Sequence, residues 1–335
     1  MTNNVSKEND RNASPSAYGW VFQVGAGIIL MLDNIKNFNR LKMEGEKEDI
    51  EIMCNDGVIY AQAKSVTQME DNRNAGTNLL NALKKLNDDY KYRDYKELIY
   101  ITNISHPFGV RNGQFGYNNK YDFSVLSKNA QKKIISLVDS NFPFDNFKLQ
   151  TIYFFGEKEN KFSSVKERIS EFLREALDDP SYKNMLFDKW FTLFMGNCAD
   201  KPKKELKLEL EKKEILWPII VLVVDNNVSE KEFSNICDFD NSEEIEREFY
   251  DTIYRSSCDV EFVIGVLGEY NYQREYIENK KVFKLQFIQE NWRKYEHFFT
   301  FIYDSEKREA LIKLLLLKII NGKSKINHIK EATNL

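Results

Sequence analysis

Two short alternating segments separated by a tight turn constrain this chain more than any other feature. Asp49-Ile50-Glu51-Ile52-Met53 alternates polar and apolar side chains with period two. Asn55-Asp56-Gly57 follows as a turn, and Val58-Ile59-Tyr60-Ala61-Gln62-Ala63-Lys64 is a second strand-like run. That order predicts an antiparallel strand pair. Successive side chains of a strand point to opposite faces, so Gln62 and Lys64 share one face while Ala61 and Ala63 take the other. Asp49 heads the first strand, with Glu51 on its face. Pairing carries Asp49 across to Gln62 and Lys64. A carboxylate, an amide and an ammonium then converge on a surface otherwise made of aliphatics.

The segments around the pair define its setting. Residues 17–34 are almost wholly apolar and include Trp20, Phe22, Val24, Ile28, Leu30 and Leu32, with Gln23 as the one polar side chain inside the run. They predict a buried helix, with a strand as the alternative because of their β-branched content. Ser14-Pro15-Ser16 supplies helix-start chemistry, and Gly25-Ala26-Gly27 permits close packing against a sheet. Residues 78–89 place Leu79, Leu83, Leu86 and Tyr90 on one helical stripe. Residues 97–102 form a short buried strand. A Gly/Asn-rich loop over 103–119 leads to a helix over 127–139 and a strand over 149–155. After Gly156 the helical pattern dominates. Residues 164–177 and 181–195 are amphipathic helices divided by Asp178-Asp179-Pro180, and 201–213 form a charge-dense linker or solvated helix. Residues 216–225 read as a strand or as a buried helix start at Pro218. The remainder, including 243–255, 270–295 and 306–320, is mainly amphipathic helix. The expected organisation is a polar tail over 1–13, an α/β domain over 14–160 and a mainly helical domain over 161–335.

Composition narrows the chemistry. The 335 residues carry 48 Lys plus Arg against 52 Asp plus Glu, a net charge of −4. Affinity for nucleic acid therefore needs a local basic surface or a partner, because the whole-chain field does not attract phosphate. Cys54, Cys198, Cys237 and Cys258 show no C-x-x-C spacing, and only His106, His297 and His328 are present. A structural zinc site and a disulfide framework are both excluded on those counts. No apolar run reaches the about 18 residues of a membrane span, and no basic-plus-apolar leader appears, so the reading is a soluble cytoplasmic protein without a membrane contact.

The converging group suits metal-assisted phosphodiester hydrolysis. Asp49 offers a hard carboxylate oxygen to Mg2+ (with Mn2+ as a substitute), Gln62 an amide oxygen, and Ala63 its backbone carbonyl. Lys64 is placed to orient or help deprotonate an attacking water and to offset charge on the phosphate. Asp49 and, thirteen residues later, Gln62-Ala63-Lys64, within this element order, resemble the PD-(D/E)xK nuclease superfamily. Gly19-Trp20-Val21-Phe22-Gln23, Glu48-Asp49-Ile50, Ala61-Gln62-Ala63-Lys64 and Ile99-Tyr100-Ile101-Thr102-Asn103 look more specifically like one branch. That branch is the endonuclease domain of CBASS-associated DNA-degrading effectors, which also occurs as the nuclease subunit of Lamassu anti-phage systems. The resemblance covers roughly the first 160 residues. It implies a restriction-endonuclease-like mixed sheet and Mg2+-dependent cleavage of double-stranded DNA. Asp49, Gln62 and Lys64 take the catalytic positions, with Gln23 and Glu44 as looser helpers. Gln62 stands where the superfamily more often has Glu, which removes one negative charge from the ligand set.

The resemblance further implies an effector that works with an SMC-like ATPase and a small third subunit, and that is active as a homo-oligomer. A catalytically degenerate subunit that binds DNA or supports assembly is the alternative. Glu51 is expected to face solvent or to support the site rather than to ligate. Lys84, Lys85, Lys128, Lys132 and Lys133 lie on helices that would flank the cleft, and Lys84, Lys85, Lys132 and Lys133 are the candidate phosphate contacts. His106 before Pro107 reads as a turn residue, and His297 as a partly buried packing residue. Tyr270, Tyr272, Tyr276, Trp292, Tyr295 and Phe298, interleaved with Arg274, Lys280, Lys281, Arg293 and Lys294, read as a helical core with a solvated face. Such an interleaving also suits nucleic acid.

Overall fold

The strand pair is present in the computed structural model, which describes residues 14–45, 48–69, 71–91, 94–199, 209–224, 228–237, 242–252, 260–276 and 280–335. The tail over 1–13, Glu46, Cys258 and positions 201–208 of the charged stretch lie outside the described residues, as do the side chains of Lys280 and Lys281. Strand β2 (Ile50–Cys54) pairs antiparallel with β3 (Gly57–Lys64) in the register Ile50↔Ala61, Glu51↔Tyr60 and Ile52↔Ile59. Gly57 closes the turn at φ +129°, where a Cβ would press to 2.9 Å on the Asp94 carbonyl oxygen. Only glycine fits there.

The chain divides into two compact units, residues 1–172 with 183–212, and residues 173–182 with 213–335. The described residues 161–172, 183–199 and 209–212, assigned from sequence to the second region, thus fall in the first unit. The first unit holds a seven-stranded sheet. Its elements are helix α1 (Ser14–Asp33), β1 (Phe38–Met43), β2, β3, α2 (Ala75–Asp89), β4 (Tyr95–Thr102), β5 (Asn119–Asp122), α3 (Lys128–Ile135) and β6 (Phe147–Thr151). They continue with α4 (Ser163–Leu177), which runs across the division, α5 (Lys183–Ala199) and β7 (Leu210–Glu211). The strand order is β5-β6-β4-β3-β2-β1-β7. Strands β3, β4 and β6 are parallel, and the flanking pairs are antiparallel. This is the mixed, helix-flanked sheet expected from the sequence.

The two faces have different covers. Tyr60, Leu98, Tyr100, Phe147 and Leu149 form one core with Leu79, Ala82, Leu83 and Leu86 of α2 and Ala130 and Ile134 of α3. Alternation puts Ala61, Ala63, Ile99 and Ile101 on the other face, where α1 lies. A Cβ at Gly27 of α1 would come within 2.8 Å of the Met43 sulfur, and Met43 pairs with Ile50, the partner of Ala61. Helix α1 is buried nearly all round, with Phe22, Val24, Ile28 and Leu30 fully covered, which settles the helix-or-strand ambiguity for helix.

Strands β1, β5 and β7 escape the sequence pattern. A register shift between Phe38 and Arg40 breaks the alternation of β1, β5 is a short edge with exposed polar residues, and β7 has two residues. Helix α3 is shorter than expected; the Ser127 hydroxyl accepts the Ala130 N–H and fixes its start.

The second unit is helical. Residues 216–224 of the segment 216–225, ambiguous by sequence, belong to helix Lys212–Val224, which carries Pro218 inside it and buries Ile219 through Val224, and residue 225 lies outside the described residues. Helices Val260–Arg274, Lys280–Asn291 and Ser305–Thr333 supply most of the rest, and Leu311, Leu314, Leu315 and Ile319 of the last are fully buried. Two lysines of that helix are buried and paired, Lys313 with Glu309 and Lys318 with Glu246 at 2.9 Å. Tyr270 and Tyr295 are buried whereas Tyr272, Tyr276 and Phe298 are exposed, and His297 is exposed against Phe298 rather than packed inside. Among the described residues no helix is long and apolar enough to cross a membrane.

Candidate active site

Asp49 stands one residue before β2, and the register Ile50↔Ala61 sets it across from Gln62. Its Oδ2 accepts the Ala63 N–H at 3.0 Å and the Lys64 ammonium at 2.8 Å. Its other oxygen, Oδ1, faces the Lys85 ammonium at 3.8 Å. Of the expected group of Asp49, Gln62 and Lys64, Asp49 and Lys64 are in direct contact, and Ala63 meets Asp49 through its N–H rather than its carbonyl. Gln62 is fully buried, and among the described residues neither its amide oxygen nor its amide nitrogen makes a hydrogen bond of ordinary geometry, although its amide lies beside the Glu48 carboxyl. In register with it on β4 is Tyr100, whose buried hydroxyl also makes no such hydrogen bond. Buried polar atoms without partners carry a free-energy cost of about 1–3 kcal/mol each, so their concentration at this point needs a reason.

Glu48 extends the group. Its side chain is buried and faces the buried carboxyl of Asp89, and neither of its oxygens makes a hydrogen bond of ordinary geometry. Burial pushes the Glu48 carboxyl up to about 10; the adjoining Asp89 carboxyl acts the same way, the Gln62 amide opposes it, and the Asp49 charge adds to the rise. Lys85 and Asp89 lie four residues apart on α2, hence on one face of the helix. The last turn of α2 thus meets the Glu48-Asp49 dipeptide twice, Asp89 at Glu48 and Lys85 at Asp49.

The loop before Asp49 is held from beneath. Glu51 is buried, and its Oε1 accepts the Glu48 N–H at 3.3 Å. A Cβ on Gly45 would overlap the Glu51 carboxylate. Glu51 is a support rather than a solvent-facing residue. Glu44 takes a left-handed conformation, φ +49°, and its N–H donates to the Asp49 carbonyl at 2.8 Å. Its backbone shapes the loop, while among the described residues no hydrogen bond or ion pair joins its carboxylate to Asp49, Gln62 or Lys64. Gln23 lies on α1, across the sheet from the face of Gln62 and Lys64, with its Oε1 buried and unpaired. Among the described residues no hydrogen bond joins its Oε1 to Asp49, Gln62 or Lys64.

Asn103 fixes the far end. Its amide accepts the Val66 N–H at 2.8 Å and donates to the Val66 carbonyl at 2.7 Å, clamping the chain that leaves β3 to the exit of β4. Lys64, two residues before Val66, is aimed by that clamp. Of the candidate phosphate contacts, Lys85 joins the site itself, Lys84 and Lys132 are exposed, and Lys133 donates to the Phe108 carbonyl at 3.0 Å. His106 is a turn residue, its Nδ1 against the Gly113 carbonyl at 3.0 Å. Glu48, Asp89 and Asn103 were not among the sequence candidates. Adjacency to Asp49 marks Glu48, and the four-residue step from Lys85 marks Asp89, once α2 is known to cover this face.

Among the described residues, no three His, Cys, Asp or Glu side chains stand in a metal-holding arrangement. Among the described residues the Gln62 amide oxygen and the Glu48 carboxyl oxygens make no hydrogen bond of ordinary geometry, and both residues lie near Asp49. Oxygen donors of this kind fit a hard divalent cation and not zinc.

No family model matches the chain, and no curated protein matches it. Among solved structures the chain is similar to the Acinetobacter baumannii Cap4 SAVED/CARF-domain containing receptor with the cyclic trinucleotide 2'3'3'-cAAA. The identity is 11%, the TM-score 0.39, and the match covers 60% of this chain and 44% of the receptor. The chain therefore matches under half of that receptor's length.

Proposed function

We propose that the first unit is a Mg2+-dependent double-stranded DNA endonuclease, the effector of an anti-phage defence complex. The observation that carries the reading is a pair of buried side chains, Gln62 and Glu48, whose polar atoms make no hydrogen bond of ordinary geometry among the described residues, set against the Asp49–Lys64 pair. Uncompensated polar atoms at that density are characteristic of sites that receive a ligand. Asp49, the Gln62 amide oxygen and the Ala63 carbonyl would hold the cation, with Glu48 as an added carboxylate. When bound, the cation supplies polarisation of the scissile phosphate. Lys64 then has two tasks. Its ammonium holds Asp49 in position, and it sits where it can orient water and offset charge that develops on phosphate oxygens. Lys85 on the other side of Asp49 adds a second positive charge toward the same substrate.

Plasmid cleavage by the purified chain tests the reading. Supercoiled DNA should be nicked and linearised with Mg2+, remain intact with EDTA, and be cut about 100-fold more slowly by Lys64→Ala. Equal rates in wild type and variant would remove the catalytic assignment. A second reading rests on the Asp49 Oδ2, which Ala63 and Lys64 already engage: a DNA-binding or assembly subunit that keeps the fold without the chemistry. DNA binding by the wild type, with no cleavage under any divalent cation, would establish it.

A further inference from the structure

Several cations of the second unit have a carboxylate partner: Lys284 meets Glu232 at 2.8 Å, Lys294 meets Glu269 at 2.8 Å, Arg308 meets Glu296 at 2.9 Å, and the buried Lys318 meets Glu246 at 2.9 Å. Arg274 and Lys323 depart from that pattern. Arg274 ends the helix Val260–Arg274, Lys323 lies within Ser305–Thr333, and both side chains are half-buried. Among the described residues neither forms an ion pair, and the Arg274 Nε is enclosed without a hydrogen-bond acceptor. Glu269 on the same helix is held by Lys294 and by the Gln273 amide at 2.7 Å. The neighbouring Glu275 is exposed and pairs with neither cation.

The two charges come together at Tyr270. That residue is buried, its ring stacked on Phe283 at 5.1 Å and edge-on to Phe287 at 5.1 Å, so its position is fixed. Lys323 places its ammonium 5.2 Å from the ring centroid. Arg274 follows Tyr270 by four residues, one helical turn, and so shares its face of the helix. Each cation therefore feels the other: burial, and then the Arg274 charge, hold the Lys323 ammonium below the usual lysine range. The face of the Tyr270 ring offsets only part of one charge. Two positive charges on packed helices with no carboxylate between them repel each other. An anion removes that repulsion and supplies the missing acceptor.

We propose that Arg274 and Lys323 form a binding site for a phosphate monoester, held between the guanidinium and the ammonium beside Tyr270. Two uncompensated charges match a monoester, which at pH 7 carries about −1.5 to −2 charge and three acceptor oxygens. The terminal nitrogens of the guanidinium present a planar fork to two oxygens, and the ammonium brings a point charge to the third. A carboxylate or a phosphodiester carries a single charge and leaves the second cation unanswered. A free nucleotide and the phosphorylated end of a nucleic-acid strand offer the same group. The site is independent of the cleavage reading, since it lies in the second unit and shares no residue with the Asp49 group.

The test uses the full chain in EDTA, titrated calorimetrically with inorganic phosphate, AMP, adenosine and acetate, and then with one oligonucleotide in 5′-phosphorylated and hydroxyl-ended forms. Binding of phosphate and AMP, without binding of adenosine or acetate, is the expected result. Arg274→Gln and Lys323→Met should each weaken it about tenfold, and Lys323→Arg should retain it. In phosphate-free buffer the two charge-removing variants should melt no lower than the wild type, because the repulsion is relieved. Added phosphate should raise the wild-type Tm more than theirs. Preference for the 5′-phosphorylated oligonucleotide, without binding of AMP, would place the monoester on a nucleic-acid strand, provided the same two variants weaken it. Equal binding of both oligonucleotides without binding of phosphate, no binding of any monoester at millimolar concentration, or wild-type affinity in both variants would overturn the proposal.

Discussion

Asp49 meets Lys64 and the Ala63 N–H on one oxygen and Lys85 near the other, so its charge is balanced before any substrate arrives. Glu48 has no such compensation. It faces Asp89 instead, and its carboxyl is pushed far above the usual carboxylate range. The consequence for stability has a definite sign. A carboxyl whose folded pKa is raised favours the folded state only while it is protonated. With a chelator present, stability should therefore fall as pH rises from the ordinary carboxylate range toward about 10. Glu48→Gln should flatten that slope and raise the chelated protein's stability by about 1–3 kcal/mol at pH 8, read by urea denaturation across pH. If the wild type binds Mg2+ as proposed, Mg2+ should raise its Tm, and the same variant should lose most of that gain, because a ligand that binds only the folded state stabilises it. A pH slope unchanged by Glu48→Gln would refute this account of the group. The sequence marked Asp49, Gln62 and Lys64 through alternation alone. It did not show that Glu48 and Asp89 meet, since their encounter depends on where α2 crosses the sheet.

Each element carries part of this arrangement. Helix α2 packs by Leu79, Leu83 and Leu86, a stripe plain in the sequence, and the packing puts Lys85 and Asp89 over the Glu48-Asp49 corner. Leu83→Ala should cost about 2–5 kcal/mol, because the buried side chain leaves a cavity, and a thermal melt measures it. Asn103 is a subtler case. Asn103→Ala removes two buried hydrogen bonds to Val66 and should cost about 1–3 kcal/mol each. It should also slow plasmid cleavage under conditions where the variant is fully folded, since Lys64 loses its fixed strand exit. Undiminished cleavage would show that the clamp serves stability alone. The strands that the pattern missed, β1, β5 and β7, share one cause. Short or bulged segments owe their conformation to partners already in place, and alternation in their own residues is too brief to show it.

For the whole molecule, a net charge of −4 leaves no long-range pull toward DNA, and the exposed Lys84 and Lys132 are a thin basic surface for the proposed nuclease. Clustering of several copies would multiply weak contacts through avidity. The cleavage rate should therefore rise more steeply than linearly with protein concentration and fall sharply with added salt. Initial rates measured alongside light scattering check this, and a monomer cutting at full rate would refute the need for clustering. The sequence alone determined the strand pair, its turn, the burial of the first apolar segment and the face shared by Gln62 and Lys64. Those follow from local periodicity and from glycine at a strained turn. Only the tertiary structure decided that Gln23 lies across the sheet, that Glu48 is buried against Asp89, and that Lys323 is brought to Tyr270 beside Arg274. Each of these joins residues far apart in the chain, and no local pattern records which helix covers which face.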